Sequence, residues 1–317
     1  MKFVFLGTPL FAVRVLEELA KKNLLPSLVV TAPDKPAGRG LKLTLPPVKA
    51  WAESRRIPIF QPATLKSPEA AKRLAEEGAD VFVVAAYGKL IPGAVLTLAP
   101  KGALNIHPSL LPRWRGADPI RNAILADDAE TGVTIMQLDE KLDHGPLIAQ
   151  KAVPVNEKTY EKLEEELAVL GGALLTDILP QWFAGAIKPR EQNHTEATFT
   201  KKIVKEDGHL DWNESAETIE RKIRALNPWP GIFTFWNEKR LRILKARSAK
   251  VEPWQDGQGS TLAIKSVGTV SRADSGLSVT CRNGSILIET LQLEGKKAMP
   301  SAEFARGYPD IIGTILA

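Results

Sequence analysis

Asn105 and His107 stand two residues apart at the end of an apolar run, Ala103-Leu104-Asn105-Ile106-His107-Pro108. On a β-strand, residues with period two share a face, so the carboxamide and the imidazole look into one space while Ile106 packs behind them. Pro108 removes a backbone donor and ends the strand, leaving both polar groups at its carboxyl end. Open α/β sheets hold ligands there. An amide N–H stays neutral at every working pH and can bond to an oxygen that gains negative charge in a transition state. An imidazole exchanges a proton near neutral pH or, protonated beside a carboxylate, helps the same oxygen. Asp143 is the candidate carboxylate. It lies between Leu142 and His144-Gly145-Pro146, in a turn where glycine permits close backbone approach and Leu142 and Leu147 suggest a partly apolar wall.

Each residue also has an ordinary reading: an Asn-x-His pair occurs on strands by chance, and an Asp beside glycine is commonly a turn residue. Other chemistries fit less well. His144, His194 and His209 lack partners at metal-ligand spacing and read as surface or linker residues, so no metal is expected. Cys281 is the only cysteine, which excludes an internal disulfide and a thiolate cluster and fits a reducing cytosol. Gly7-Thr8-Pro9 follows the first apolar run without the Gly-x-Gly-x-x-Gly pattern of a nicotinamide site, and there is neither a Walker-type loop nor a Gly-x-Ser-x-Gly elbow.

The elements that must carry these residues alternate along the first half of the chain. Residues 2–6, 28–31, 80–85 and 103–107 read as strands, and 11–22, 68–77 and 119–126 as amphipathic helices. That order implies an α/β domain, a mostly parallel sheet with helices on both faces. Residues 131–138 alternate as a further strand. Residues 159–184 read as a long helix, with Gly171-Gly172 as a place to bend, and close the first domain. Periodicity then fades into Pro, Asn, His, Thr and Lys, as in a linker. After a short helix at 217–226, brief alternating segments at 232–236, 240–246, 277–280 and 286–293, with turns such as Asn283-Gly284, imply a small β-barrel of the oligonucleotide-binding type. The expected division is 1–188, a linker at 189–206, and 207–317. A chain of 317 residues with 44% hydrophobic content accommodates two such domains. Lys2 before an apolar run resembles the start of a secretion signal, but Gly7-Thr8-Pro9 interrupts it and no small-residue cleavage site follows; no stretch is long enough for a membrane span.

Charge is uneven. From Lys201 onward, 18 Lys and Arg face 14 Asp and Glu, which accounts for +4 of the net +5. This excess suits either a basic surface for a polyanion or an ordinary solvated surface. Ala32-Pro33-Asp34-Lys35-Pro36-Ala37-Gly38-Arg39-Gly40-Leu41-Lys42 follows the second strand. Its prolines and glycines argue against helix or strand, and Lys35, Arg39 and Lys42 suit a phosphate-binding loop as well as a solvated one. Trp229, in Asn227-Pro228-Trp229-Pro230-Gly231, reads as part of a packed turn in preference to a base-stacking platform.

Taken together, these motifs resemble the methionyl-tRNA formyltransferase family from end to end. The resemblance rests on Gly7-Thr8-Pro9 with Phe11-Ala12-Val13, Lys35-Pro36-Ala37-Gly38-Arg39-Gly40, Tyr87-Gly88-Lys89-Leu90-Ile91-Pro92 and Asn105 to Pro112. It continues through Arg113-Trp114-Arg115-Gly116-Ala117-Asp118-Pro119-Ile120, Leu138 to Asp143, Asn227 to Gly231 and Leu291 to Lys297. It implies a Rossmann-like catalytic domain followed by an OB-like tRNA-binding domain. It also implies transfer of the formyl group of 10-formyltetrahydrofolate, a co-substrate, to the α-amino group of methionine on initiator tRNA. The first half alone would fit any folate-dependent formyltransferase, including one acting on a ribonucleotide or an amino-sugar nucleotide. By the resemblance, Asn105, His107 and Asp143 are catalytic; Ser109, Leu110, Leu111 and Pro112 line the folate site; and Lys35, Arg39 and Lys42 meet the tRNA. A cytoplasmic monomer is expected. Lys141 and His144 depart from the family's usual glycine and threonine beside Asp143.

Overall fold

The structure is a computed structural model that describes residues 1–37, 42–249, 266–274 and 276–317. The chain divides into two compact units. The first comprises 1–120, 129–156 and 161–201, and the second 121–128, 157–160 and 202–317.

The first unit is built on β1 (Phe3–Gly7), α1 (Leu10–Ala20), β2 (Leu28–Val30), β3 (Lys35–Ala37), β4 (Lys42–Thr44), α2 (Pro47–Ser54), β5 (Ile59–Phe60) and α3 (Pro68–Glu77). There follow β6 (Val81–Ala85), α4 (Gly93–Leu96), β7 (Ala103–His107), α5 (Pro119–Leu125, of which 121–125 count with the second unit), β8 (Glu130–Gln137), β9 (Leu147–Pro154) and α6 (Tyr160–Phe183). Seven strands form one sheet in the order β5-β2-β1-β6-β7-β8-β9. Pairing is parallel from β5 through β7 and antiparallel at β7–β8 and β8–β9. β1 and β6 are buried along their whole length, as strands covered on both faces must be, which is why they read as unbroken apolar runs. α3 forms where the sequence signals it. Ser67 accepts the Ala70 N–H at the amino end, Pro68 occupies the first turn, and Gly78 ends the helix at φ 62°.

On one face, Val4, Leu6, Val30, Phe82, Val84 and Ala103 pack with Leu65, Ala70 and Leu74. On the other face of β7, α6 comes close because two of its residues lack side chains. A Cβ on Gly171 would lie 2.6 Å from Ile106 Cγ2, and one on Gly172 would lie 2.6 Å from Glu18 Cβ of α1. The glycine pair thus makes room for the sheet and for α1, and Ile106 does pack behind the polar pair.

Three expectations change. The Ala32 to Lys42 stretch is not devoid of strand: β3 and β4 pair antiparallel, with Pro36 opposite Leu43. A two-stranded ribbon leaves one edge of each strand unpaired, so the missing proline N–H removes no ladder bond. Lys35 is exposed there, Lys42 lies on β4, and Arg39 falls outside the described residues. At the ribbon's base, Asp34 holds Gln61 Nε2 at 2.8 Å and Lys49 Nζ at 2.7 Å, and these bonds keep its carboxyl below the usual range. Next, β9 is present although no alternation announced it; as the last strand of the sheet it buries little. Finally, the stretch read as linker is bonded into the first unit. Arg190 exchanges two backbone bonds with Leu147, and Arg115 does so with Thr198 and Thr200.

In the second unit, α7 (Ala216–Leu226) precedes β10 (Ile232–Trp236), β11 (Lys239–Ala249), β12 (Val270–Ala273), β13 (Gly276–Thr280), β14 (Ser285–Leu293) and β15 (Met299–Pro300), with α8 (Ser301–Gly307) after them. The antiparallel order is β10-β11-β14-β13-β12, with β15 beside β14. This separate antiparallel sheet fits the expected small β-domain. Asn283-Gly284 lies in the β13–β14 connection as expected, while β10 and β11 turn through Asn237 and Glu238, both at positive φ.

Gly171→Leu is expected to destabilise the protein by about 1–3 kcal/mol, because the added side chain must displace Ile106 or α6. A denaturant midpoint equal to that of the native chain would show that α6 has room to move.

Candidate active site

β7 lies between β6 and β8, with Asn105 opposite Val84 on one side and Met136 on the other. Its carboxyl end delivers both polar residues as the spacing implies. His107 is buried, and its Nε2 lies 3.0 Å from the Trp114 carbonyl oxygen. A carbonyl only accepts, so Nε2 carries the hydrogen and Nδ1 is left facing the opposite way. Nδ1 lies 3.7 Å from Asp143 Oδ1. That separation exceeds a hydrogen bond, and it sets two largely buried polar groups side by side. Asn105 is half-buried, and its amide makes no hydrogen bond among the described residues, so its donors remain available.

Asp143 is held differently from what its turn position suggests. Its Oδ2 accepts the Gly116 N–H at 2.8 Å, and its backbone sits at φ 46°, a left-handed conformation that Asp tolerates better than most residues. Such strain, of order 1–3 kcal/mol, persists only where surrounding bonds enforce it. The expected apolar wall is half present. Leu142 is 63% exposed and lines nothing, whereas Leu147 is buried against Leu111 and Met136.

The segment after Pro108 is anchored by Thr134 of β8. The Thr134 hydroxyl donates to the Ser109 carbonyl at 2.6 Å and accepts from Leu111 N–H at 3.1 Å and Gln150 Nε2 at 2.9 Å. Gln150 also donates to the Leu111 carbonyl at 2.8 Å. Ser109 is fully buried, its hydroxyl bonded to the Arg113 carbonyl at 2.6 Å. Of the four residues expected at the folate site, Ser109 and Leu111 therefore shape the loop, and Leu110 and Pro112 keep partial access to solvent.

Several residues that sequence reasoning passed over converge on Asp143. Gln192 donates to the carbonyls of Asp143 at 2.9 Å and Gly145 at 2.7 Å. The buried Arg115 guanidinium donates to Gln192 Oε1 and to His194 Nδ1. His194, exposed as the surface-or-linker reading expects, stacks on the half-buried His144 at 4.0 Å with their planes 5° apart. His144 Nδ1 lies 2.7 Å from Asp139 Oδ2. The only local signal was the presence of polar residues in a stretch without periodicity, which is also what a linker looks like. Trp229 is 46% exposed, but its turn is packed as expected: the Asn227 amide donates to the Ile223 and Ile243 carbonyls. Among the described residues, no group of three or more His, Cys, Asp and Glu could hold a metal ion, and no helix is long and apolar enough to cross a membrane.

Desolvation, followed by the charges of His144 and Arg115, lowers the His194 imidazole below its usual value. The unfolded chain then takes up this proton first, so the contribution of His194 to stability is present above about pH 6.5 and is lost as pH falls through the window below it. His194→Gln is expected to flatten the decline of Tm between roughly pH 7 and 5. An unchanged slope would show that this imidazole does not contribute.

Comparison with known proteins follows the same division. A family described as formyl transferase matches residues 1–179, and one described as formyl transferase, C-terminal domain, matches residues 202–309. The methionyl-tRNA formyltransferase of Marinobacter nauticus is 44% identical over 314 residues, covering 98% of this chain and 98% of that protein. An N-formyltransferase from Helicobacter canadensis, solved with folinic acid and dTDP-3-aminofucose, is similar in fold (TM-score 0.65, 18% identity, 91% of this chain and 98% of that one). The chain also spans about half of HypX from Aquifex aeolicus, solved with tetrahydrofolic acid (TM-score 0.63, 19% identity, 98% of this chain and 47% of that one).

Proposed function

This chain belongs to the formyl transferase family, among its methionyl-tRNA formyltransferases, and from that premise we propose that it formylates the α-amino group of methionine carried on initiator tRNA, with 10-formyltetrahydrofolate as donor. The observation that carries the catalytic assignment is the orientation of His107, whose Nε2–H is bonded to Trp114 while Nδ1 faces Asp143.

The chemistry then follows from the side chains. An α-amino group is substantially unprotonated at pH values near its ordinary pKa of about 8, so it attacks the formyl carbon without metal assistance. As the new C–N bond forms, the carbonyl oxygen becomes negative and receives the amide N–H of Asn105. Because Nε2 is occupied, His107 acts through Nδ1: protonated there, it adds positive charge beside the oxyanion. Asp143 stabilises that proton and takes up the one released by the attacking amine. The oxyanion's electron pair then re-forms the carbonyl as the C–N bond to the folate breaks, and Asp143 passes the proton taken from the amine to the leaving folate nitrogen. Leu110 and Pro112 would offer apolar surface to the pterin, with Ser109 and Leu111 holding the loop in shape.

The tRNA would meet cations on both units. Lys35 begins β3 and Lys42 begins β4, and Arg39 falls between them in the sequence. On β11, Leu241 and Ile243 are buried, while Arg240, Arg242, Lys245 and Arg247 have exposed or half-exposed side chains. We assign residues 1–188 to catalysis, together with 189–200, which are bonded back onto that unit, and 207–317 to holding the tRNA. The enzyme would act as a monomer in the cytoplasm, where charged tRNA is found.

Transfer of label from formyl-folate to charged initiator tRNA tests this reading directly. Asn105→Ala is expected to lower turnover about 10²–10³-fold, the usual consequence of losing one oxyanion donor. Asp143→Ala is expected to lower turnover as well, and tRNA affinity should stay near native in both variants. Turnover at the native level in either variant would refute the assignment. A second outcome concerns the ribbon: Arg39→Ala should weaken tRNA binding and lower the slope of log affinity against log salt by about 1. An unaltered slope would leave the loop without a phosphate contact.

A further inference from the structure

We propose that Gln192, supported by Arg115, is a positioning residue that holds the Asp143 turn in its left-handed conformation and so sets the geometry between carboxylate and imidazole. The inference rests on the role given to Asp143 above.

All the hydrogen-bonding capacity of the Gln192 amide is used. Its two N–H groups donate to the carbonyls of Asp143 and Gly145, on either side of His144. Its oxygen accepts Arg115 Nη2 at 2.6 Å and Arg115 Nε at 3.2 Å. Gln192 is 5% exposed and Arg115 4%, so water cannot readily replace these bonds, and an unmet carbonyl or guanidinium there would be costly. Arg115 Nη2 also donates to His194 Nδ1 at 2.9 Å, which makes that nitrogen the acceptor. The His194 ring stacks on His144, so the Asp143 turn is gripped by two neighbours in the chain, one through its carbonyls and one through a ring.

Arg115 is also the middle residue of the three that hold the catalytic pair. Trp114 accepts from His107, and Gly116 donates to Asp143. The backbone of Arg115 is fixed in turn by Thr198 O at 2.8 Å and Thr200 N at 2.7 Å, and the Trp114 N–H is held by the Thr198 hydroxyl at 2.9 Å. The segment from Gln192 to Thr200 therefore braces both sides of the His107–Asp143 gap. Without the Gln192 amide, only the Gly116 bond, the His144–Asp139 contact and the His144–His194 stack, among the described residues, are left to oppose relaxation of Asp143 away from φ 46°, and a displacement of about 1 Å at a reacting group commonly costs ~10²-fold in rate.

The test is a double-mutant cycle on the full-length protein. Gln192→Met removes both donors, and Gln192→Glu keeps the shape and the acceptor for Arg115 while replacing the donors with a carboxylate. In the native background each is expected to lower kcat by roughly 10–100-fold, with KM for both substrates within about twofold. In an Asp143→Asn background the further loss should be under about threefold, because the two residues act through one element. A second readout needs no catalysis. The Gly116 amide, held by the Asp143 carboxylate, should lose hydrogen-exchange protection in Gln192→Met while the β1 and β6 amides keep theirs. Equal losses in both backgrounds with Gly116 protection unchanged would overturn the proposal. If Asp143→Asn proved fully active while Gly116 lost protection in Gln192→Met, the grip would stand and the catalytic assignment of Asp143 would fall.

Discussion

The bond from His107 Nε2 to the Trp114 carbonyl constrains everything around it, because an imidazole has only two nitrogens to offer. With one committed to the backbone, only the other is left to face the space beyond the strand, and its direction is set by the strand that carries the ring. Two residues further along, Gly116 presents its N–H to Asp143. Imidazole and carboxylate are thus both referenced to one short stretch of main chain and not to each other. The 3.7 Å between them is a property of that stretch, too wide for a direct hydrogen bond.

That arrangement needs a rigid support, and the sheet supplies it. β7 is the last parallel strand, flanked by buried β6 and by β8. Ile106 anchors it from behind against a helix whose Gly171 allows contact distance. Forward of the strand, the Thr134 hydroxyl gathers the Ser109 carbonyl, the Leu111 N–H and the Gln150 amide. Core packing therefore reaches the site through a small number of satisfied polar contacts, each in a place where an unsatisfied group would be penalised. Leu110 and Pro112 are left outward as a consequence, since their neighbours in the loop face the core.

Much of this could be read from local pattern. Asn105 and His107 share a face because strand periodicity requires it, and Pro108 ends the run because it lacks an N–H. Ser67 with Pro68 and Gly78 marks both ends of one helix within a few residues. Elsewhere pattern misled or was silent. Pro36 argued against strand, yet a two-stranded ribbon with open edges accommodates it. β9, at the sheet's edge, buries too little to alternate. Leu142 was assigned to a wall because it is apolar, but a turn residue can point outward at little cost, and it does. His144 and His194 were set aside for want of metal-ligand spacing, although their actual relation is a stack between residues fifty apart in the chain.

The sequence by itself determined the buried strands β1, β6 and β7, the ends of α3 and the identity of the polar pair at the end of β7, because strand period, helix caps and turn residues act over a few neighbours. Tertiary structure alone decided which nitrogen of His107 faces Asp143, how Asp143 is held, and that Gln192 and Arg115 pack against its turn. Those contacts join residues 49 positions apart for Gln192 and Asp143 and 84 apart for Trp114 and Thr198. A hydrogen bond depends on distance and direction in space, and nothing in local composition encodes which distant donor will arrive at a given carbonyl.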